Sequence, residues 1–207
     1  VVGVSGASGT PYAAAVLRGL LAAGDPVDLV VSAAARLTLL DETGIAWTES
    51  GWVDGLARWT GVPAGELAEQ VRHWAPANLA AGPSSGSYPT RGMVVVPAST
   101  AAVAGIALGL SKDLLQRAAD VTLKERRPLV VVPRETPLSR GTLVHLLALH
   151  DAGAVVAPAS PAFYAGATTV DDLVNFVAGK VLDVLGVPHA MFARWEGRLG
   201  AARAGLP

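Results

Sequence analysis

Four side chains in the second half of the chain have the types and the spacing to act on a phosphate ester. Arg117 and Lys124 stand seven residues apart in a stretch, Leu114–Arg127, whose leucines, alanines and valines fall on one side of a helix. Two turns of helix separate them, so they share a face. The helix runs directly into the apolar strand Leu129–Val132, whose end delivers Arg134 and Glu135. Cations offset the charge of a departing phosphate, and a carboxyl group beside them can hand it a proton. A carboxyl among three cations is a structural ion pair in most proteins. Here it follows a buried strand, which predicts a phosphate pocket with an adjacent proton donor. Arg126 and Arg127 read instead as cations on a solvated helix end.

The elements that must position these groups follow from periodicity. Apolar runs at Val1–Val4, Val27–Val31, Met93–Val96, Leu129–Val132 and Ala154–Ala157 are continuous rather than alternating, as expected of parallel strands buried on both faces. Helical patterns lie between them at Tyr12–Ala23, Ala34–Asp41, Thr100–Leu110, Asp113–Arg127, Thr142–Ala152 and Val170–Leu185. The alternation predicts an α/β fold with a doubly wound parallel sheet. The region Trp47–Pro89, with Trp47, Trp52, Trp59, Trp74 and the turn Gly82–Ser87, reads as irregular. No linker or internal repeat divides the chain, so residues 1–207 are expected to form a single domain.

Ligands in such sheets bind beyond the carboxyl ends of the strands. Here those ends carry Ser5–Gly9, Ser32, Pro97–Thr100, Pro133–Thr136 and Pro158–Tyr164, while the strands are apolar apart from Gly3 and Asp28. Glycine allows close backbone approach, and helix amides beyond Gly9 are expected to point at a phosphate. The spacing is neither the dinucleotide fingerprint nor the P-loop. Tyr164 ends a rigid turn. Lys180 and Trp195 would add a cation and a ring if the tail folds back.

Composition narrows the function classes. The 207 residues carry 16 basic and 17 acidic side chains, and 51% are apolar. That balance argues against a nucleic-acid or acidic-membrane partner. The absence of cysteine excludes a thiolate nucleophile and fits a reducing cytoplasm. His73, His145, His150 and His189 show no metal-binding spacing, so no metal is expected. No signal peptide is evident, and the missing initiator methionine suggests a few trimmed residues. Met93–Leu110 is uncharged and of membrane-spanning length, but Pro97, Ser99 and Thr100 divide it into a strand and a helix. That helix is apolar all round and is expected to be buried on every side, as a central helix or at a subunit interface.

Several blocks resemble the flavin prenyltransferases of the UbiX type, in order along the chain. They are Gly6-Ala7-Ser8-Gly9 with Tyr12, Ser84-Ser85-Gly86-Ser87 with Gly92-Met93, and Pro97-Ala98-Ser99-Thr100. Arg117–Val121 with Leu123–Leu129, Pro133–Leu138, Pro161–Tyr164 and Arg194-Trp195 complete the set. The Arg117–Arg134 block is highly specific, whereas the first glycine loop is shared with flavin-binding cysteine decarboxylases.

The resemblance implies a Rossmann-like, flavodoxin-like flavoprotein that joins a dimethylallyl unit to reduced FMN without a metal, its product serving a partner decarboxylase. It implies a homo-oligomer, with the dodecamer as the family's form, and a tail, residues 186–207, packed on the site or on a neighbouring subunit. Gly6, Ala7, Ser8, Ser32, Ser99, Thr100 and Arg134 would hold FMN. Tyr164 and Lys180 would hold dimethylallyl phosphate, with Arg117, Lys124 and Glu135 around the leaving phosphate. Tyr164 and Trp195 would offer ring faces to an allyl cation at about 0.5–2 kcal/mol each, and Ser8 would relay the proton leaving the flavin ring. The chain departs from the family at Ala101-Ala102, which removes one hydroxyl near the phosphate, and also at Thr142-Leu143 and Asn78, while Trp74 falls near a tryptophan found in only some members. Two alternatives share the fold. One is a non-catalytic FMN carrier or accessory protein, which would not need Glu135. The other is a flavin-dependent cysteine decarboxylase, whose asparagine is absent from Pro97–Ala101.

Overall fold

A computed structural model of the chain describes residues 1–195 and Gly197. The apolar runs become six strands of one parallel sheet in the order β3-β2-β1-β4-β5-β6. They are β1 (Val2–Val4), β2 (Val27–Val31), β3 (Val71–Trp74), β4 (Met93–Ala98), β5 (Leu129–Pro133) and β6 (Val155–Val156). Their continuous hydrophobicity has a direct cause. Val2, Val4, Leu29, Val31, Val94, Val96, Val130 and Val132 face one buried cluster, and Val30, Met93, Val95, Leu129 and Val131 face another. With both faces covered, alternation would bury a polar residue at every second position.

The first face is covered by α1 (Thr10–Ala22), α2 (Ala33–Thr43), α3 (Trp52–Thr60) and α8 (Val170–Val184). The second is covered by α5 (Thr100–Ala107), α6 (Leu114–Lys124) and α7 (Arg140–Asp151). A short helix, α4 (Ala64–Gln70), precedes β3. The doubly wound parallel arrangement agrees with the expectation from the sequence. Strand β1 pairs with both β2 and β4, and its following helix covers the opposite face from the one after β4. The chain therefore switches direction between β1 and β4 and leaves a crevice above them.

Two expectations are corrected. Trp47–Pro89 is not simply irregular: it contains α3, α4 and β3. Strand β3 escaped notice because it is an edge strand with Arg72 and His73 in its middle, so only its pairing to β2 through Val27↔Val71 to Val30↔Trp74 identifies it. The apolar segment Thr100–Leu110 is not a central helix, because within one chain it is not buried on every side. The helix stops at Ala107, Gly109 takes a left-handed φ of 62°, and Leu108 and Leu110 lie 62% and 59% exposed. Beside it, α7 presents Leu143, Val144 and Leu147 to solvent. Among the described residues no helix is long and apolar enough to cross a membrane.

Candidate active site

The crevice is assembled from backbone. Ser5, buried at the end of β1, donates its hydroxyl to Pro97 O (2.8 Å) and accepts the Ser99 amide (2.7 Å), locking the β1 and β4 ends together. Ser32 and Ser99 are the N-caps of α2 and α5, their Oγ atoms accepting the amides of Ala35 and Ala102 at 3.1 and 3.2 Å. Each hydroxyl keeps its proton to donate, and the first amides of each helix lie beyond the intrahelical ladder. Gly6 must be glycine because a Cβ there would lie 2.4 Å from Ala34 Cβ, at the start of α2. Arg134 reaches over from β5 and gives its Nε proton to Ser8 O at 2.9 Å. Among the described residues the two outer nitrogens of its guanidinium carry no partner. Gly6, Ala7, Ser8, Ser32, Ser99, Thr100 and Arg134 thus meet in one place.

The start of α1 departs from expectation. Its amides do not await a phosphate. Gly9 N and Thr10 N each donate to the Glu42 carboxylate at 2.8 Å, and Thr10 Oγ1 adds a third bond at 2.6 Å. Gly9, at φ 112°, turns the chain so that these groups converge. Partial burial would raise the pKa of Glu42, but bonds from Thr10, from Ser8 and from the Gly9 and Thr10 amides outweigh it and hold the group below the usual glutamate value. Glu42 is therefore an ionised base beside Ser8. The sequence hid it in the last turn of an ordinary helix, 34 residues from Ser8.

Within one chain the cationic group divides in two. Helix α6 descends to the start of β5, and β5 carries the chain back up. Lys124 sits at the foot of α6 and Glu135 beyond the top of β5, five strand residues away, or roughly 16 Å. Arg117 and Lys124 instead flank the loop Gly82–Ser87. Arg117 donates Nε to Ser84 O (3.1 Å) and Nη1 to Asp120 (2.7 Å). The Lys124 ammonium pairs with Glu125 at 2.5 Å, and a Cβ on Gly86 would come within 2.7 Å of it. Arg127, read as solvated, in fact donates to Gly86 O (2.7 Å), Tyr88 O (2.8 Å) and Thr90 Oγ1 (3.2 Å). Glu135 is exposed and accepts only its neighbour's amide, Thr136 N, at 3.0 Å among the described residues.

A third group forms the wall. Tyr164 stands edge-on to Phe176 of α8 and to Trp195, with ring centroids 5.8 and 5.9 Å apart, and an open apolar hollow lies between Tyr164 and Trp195. The chain after α8 folds back onto it: Arg194 makes two 2.7 Å bonds to Asp183, which also meets His189 Nε2 at 3.0 Å and Lys180 at 3.4 Å. Arg194 above all, then His189 and Lys180, hold the Asp183 pKa at about 2 against partial burial. Lys180 lies one turn from Phe176 and, within this chain, spends its charge on Asp183. The tail as far as Trp195 thus packs on its own α8, while residues 196 and 198–207 of that expectation lie outside the described residues. A cleft of about 390 Å³ at the opposite end of the sheet, between Asp28, Arg72, Tyr88 and Arg91, lies away from the crevice and adjoins the α6 flank, where Arg127 bonds Tyr88 O and Thr90 Oγ1.

The arrangement matches known proteins throughout. The Flavoprotein family model covers residues 1–182. Flavin prenyltransferase UbiX of Streptomyces coelicolor is 66% identical over 98% of this chain and 97% of its own. The crystal structure of AnUbiX in complex with FMN and dimethylallyl pyrophosphate superposes with a TM-score of 0.82 at 36% identity, covering 95% of this chain and 96% of that one. A dodecameric FMN-dependent UbiX-like decarboxylase from Escherichia coli gives a TM-score of 0.81 at 40% identity, with 95% and 98% covered.

Proposed function

This chain belongs to the UbiX-type flavin prenyltransferases, and from that premise we propose how its residues divide the reaction. It is a transferase that binds FMN and joins a dimethylallyl group to it. The observation that carries the assignment of sites is the crevice, where two serine-capped helix starts and the open fork of Arg134 face one point. Ser32, Ser99, Thr100 and Arg134, over the Gly6–Ser8 loop, suit the phosphate and edge of FMN. Reduced FMN supplies the electron-rich ring that receives the allyl group.

The donor's phosphate suits the α6 flank, where Arg117, Lys124 and the Ser84–Ser87 loop stand together. When the allylic C–O bond breaks, its electron pair stays on the phosphate oxygen. Arg117 and Lys124 offset that charge, and Glu135 delivers a proton to it. Tyr164 and Trp195 shield the allyl group and exclude water, with Lys180 as a further cation at their base. Ser8 takes the proton leaving the ring carbon and passes it to Glu42, an ionised acceptor already within its reach.

These assignments require more than one copy of the chain. Glu135 and Lys124 lie at opposite ends of β5, so the flank of one subunit must meet the crevice of another. The exposed Leu143, Val144 and Leu147 fit such an assembly. The dodecamer is the form this reading adopts, with the prenylated product passing to a decarboxylase that uses it. Mixing the protein with reduced FMN and dimethylallyl phosphate, then weighing the flavin by mass spectrometry, tests the reaction. One added dimethylallyl unit is expected, and an unmodified flavin would leave a carrier.

A further inference from the structure

The connection from β3 to β4, residues 75–92, owns only a three-residue helix, Gly82–Ser84, yet it must present a fixed loop to the donor. Something outside the loop has to hold it. Its anchor is Asp28 in β2, the one charged residue in the six strands' central members β1, β2, β4 and β5. A carboxylate inside a parallel sheet persists only when it is hydrogen-bonded. Asp28 Oδ1 accepts Trp74 Nε1 at 2.7 Å, and the Tyr88 hydroxyl lies 3.1 Å from both carboxylate oxygens.

Every part of Tyr88 is committed. Arg72 donates to its oxygen at 3.0 Å, which directs the hydroxyl proton to Asp28. A Cβ on Gly82 would come within 2.5 Å of its ring. Its amide donates to Ser85 O at 3.2 Å, and its carbonyl accepts from Arg127 at 2.8 Å. The Ser84–Ser87 loop is therefore strung between Gly82 and Tyr88, both fixed, while among the described residues the exposed Ser85 and Ser87 hydroxyls bond only each other, at 3.0 Å.

We propose that Asp28 and Tyr88 are positioning residues for the donor phosphate, setting the register of Ser84–Ser87 against Arg117 and Lys124 before the donor arrives. The inference rests on the reading of that loop and α6 as the phosphate half of the site. Ordering the loop in advance removes an entropy cost from donor binding and leaves the flavin crevice untouched.

Tyr88→Phe in the intact oligomer keeps the ring under Gly82 and removes only the hydroxyl. The KM for dimethylallyl phosphate should rise about tenfold, with kcat and FMN affinity within about twofold of wild type. Asp28→Asn should act in the same direction and less strongly, because its amide oxygen still accepts Trp74. An unchanged donor KM in Tyr88→Phe, with or without a lower melting temperature, would overturn the proposal, as would an equal loss of FMN affinity. Lys124→Ala separates this from the underlying reading. If it leaves the donor KM unchanged, the half-site assignment itself fails. If it raises that KM and Tyr88→Phe does not, only the positioning role fails.

Discussion

The crevice above β1 and β4 and the flank of α6 both suit phosphate oxygens, and they are made of opposite materials. In the crevice the donors are main-chain amides, cap hydroxyls and one arginine, all fixed by the strand ends that carry them. Along α6 the donors are long cationic side chains, each neutralised within the chain: Arg117 by Asp120 and Lys124 by Glu125. Main-chain donors cost little reorganisation when a ligand binds. Paired side chains must exchange one anion for another, and exposed pairs of this kind are worth only about 0–1 kcal/mol. A flavin that stays bound matches the first design. A donor that enters and leaves as phosphate matches the second.

Subunit mixing would break this comparison most visibly. Glu135→Gln and Lys124→Ala should each slow prenylation by about 10²–10⁴-fold as homo-oligomers. If the two residues reach one site from different copies, unfolding and reassembling the variants in equal amounts should leave about a quarter of the sites intact. Recovery of activity on that scale is expected. A mixture as inactive as its parents would mean that a single copy supplies both residues.

Glu42→Gln tests whether the crevice does chemistry as well as binding. It preserves shape but loses the ionised acceptor, so the proton-removal step should slow about a hundredfold with FMN affinity nearly kept. A wild-type rate in single-turnover mass spectrometry would reduce Glu42 to a cap for α1. Arg134→Lys probes the fork geometry more gently. A lysine keeps the charge but lacks the planar fork that bonds Ser8 O through Nε and presents two parallel donors to a phosphate, so FMN affinity should fall about tenfold by fluorescence titration, with the donor KM little changed.

The smallest effect concerns the wall that the chain builds by itself. The Asp183 pKa is depressed to about 2 from an ordinary 3.8, so its contribution is complete above about pH 4 and is lost as pH falls toward 2. Amide exchange in residues 187–195 should quicken across that window before the sheet melts. Asp183→Asn should exchange quickly at every pH, and an identical profile in both proteins would show that the aromatic contacts alone hold the segment.

Much of this was legible in the residues. Buried parallel strands announce themselves because both faces must be apolar, and serine before a helix marks a cap whose hydroxyl is needed there. Val94, Val130, Ser32 and Ser99 sit where those rules put them. Strand β3 was not legible, because an edge strand covered on one side tolerates Arg72 on its open face, and the His73 side chain is buried only through its contacts with the distant Trp47 and Trp52. Glu42 was not legible either, since nothing local distinguishes it from a solvated helix residue.

The sequence by itself determined the elements, their burial and the chemical kinds of groups available, because propensity and periodicity act over a few residues. Only the tertiary structure decided which groups meet. Arg117, Lys124 and Glu135 lie within 19 positions of one another, yet one helix going down and one strand coming up set Lys124 and Glu135 at opposite ends of the sheet. Ser8 and Glu42 are farther apart in sequence, yet the Gly9 and Thr10 amides beside Ser8 bond the Glu42 carboxylate. Distance along a chain that reverses at every element says little about distance between side chains, and the site is made of the latter.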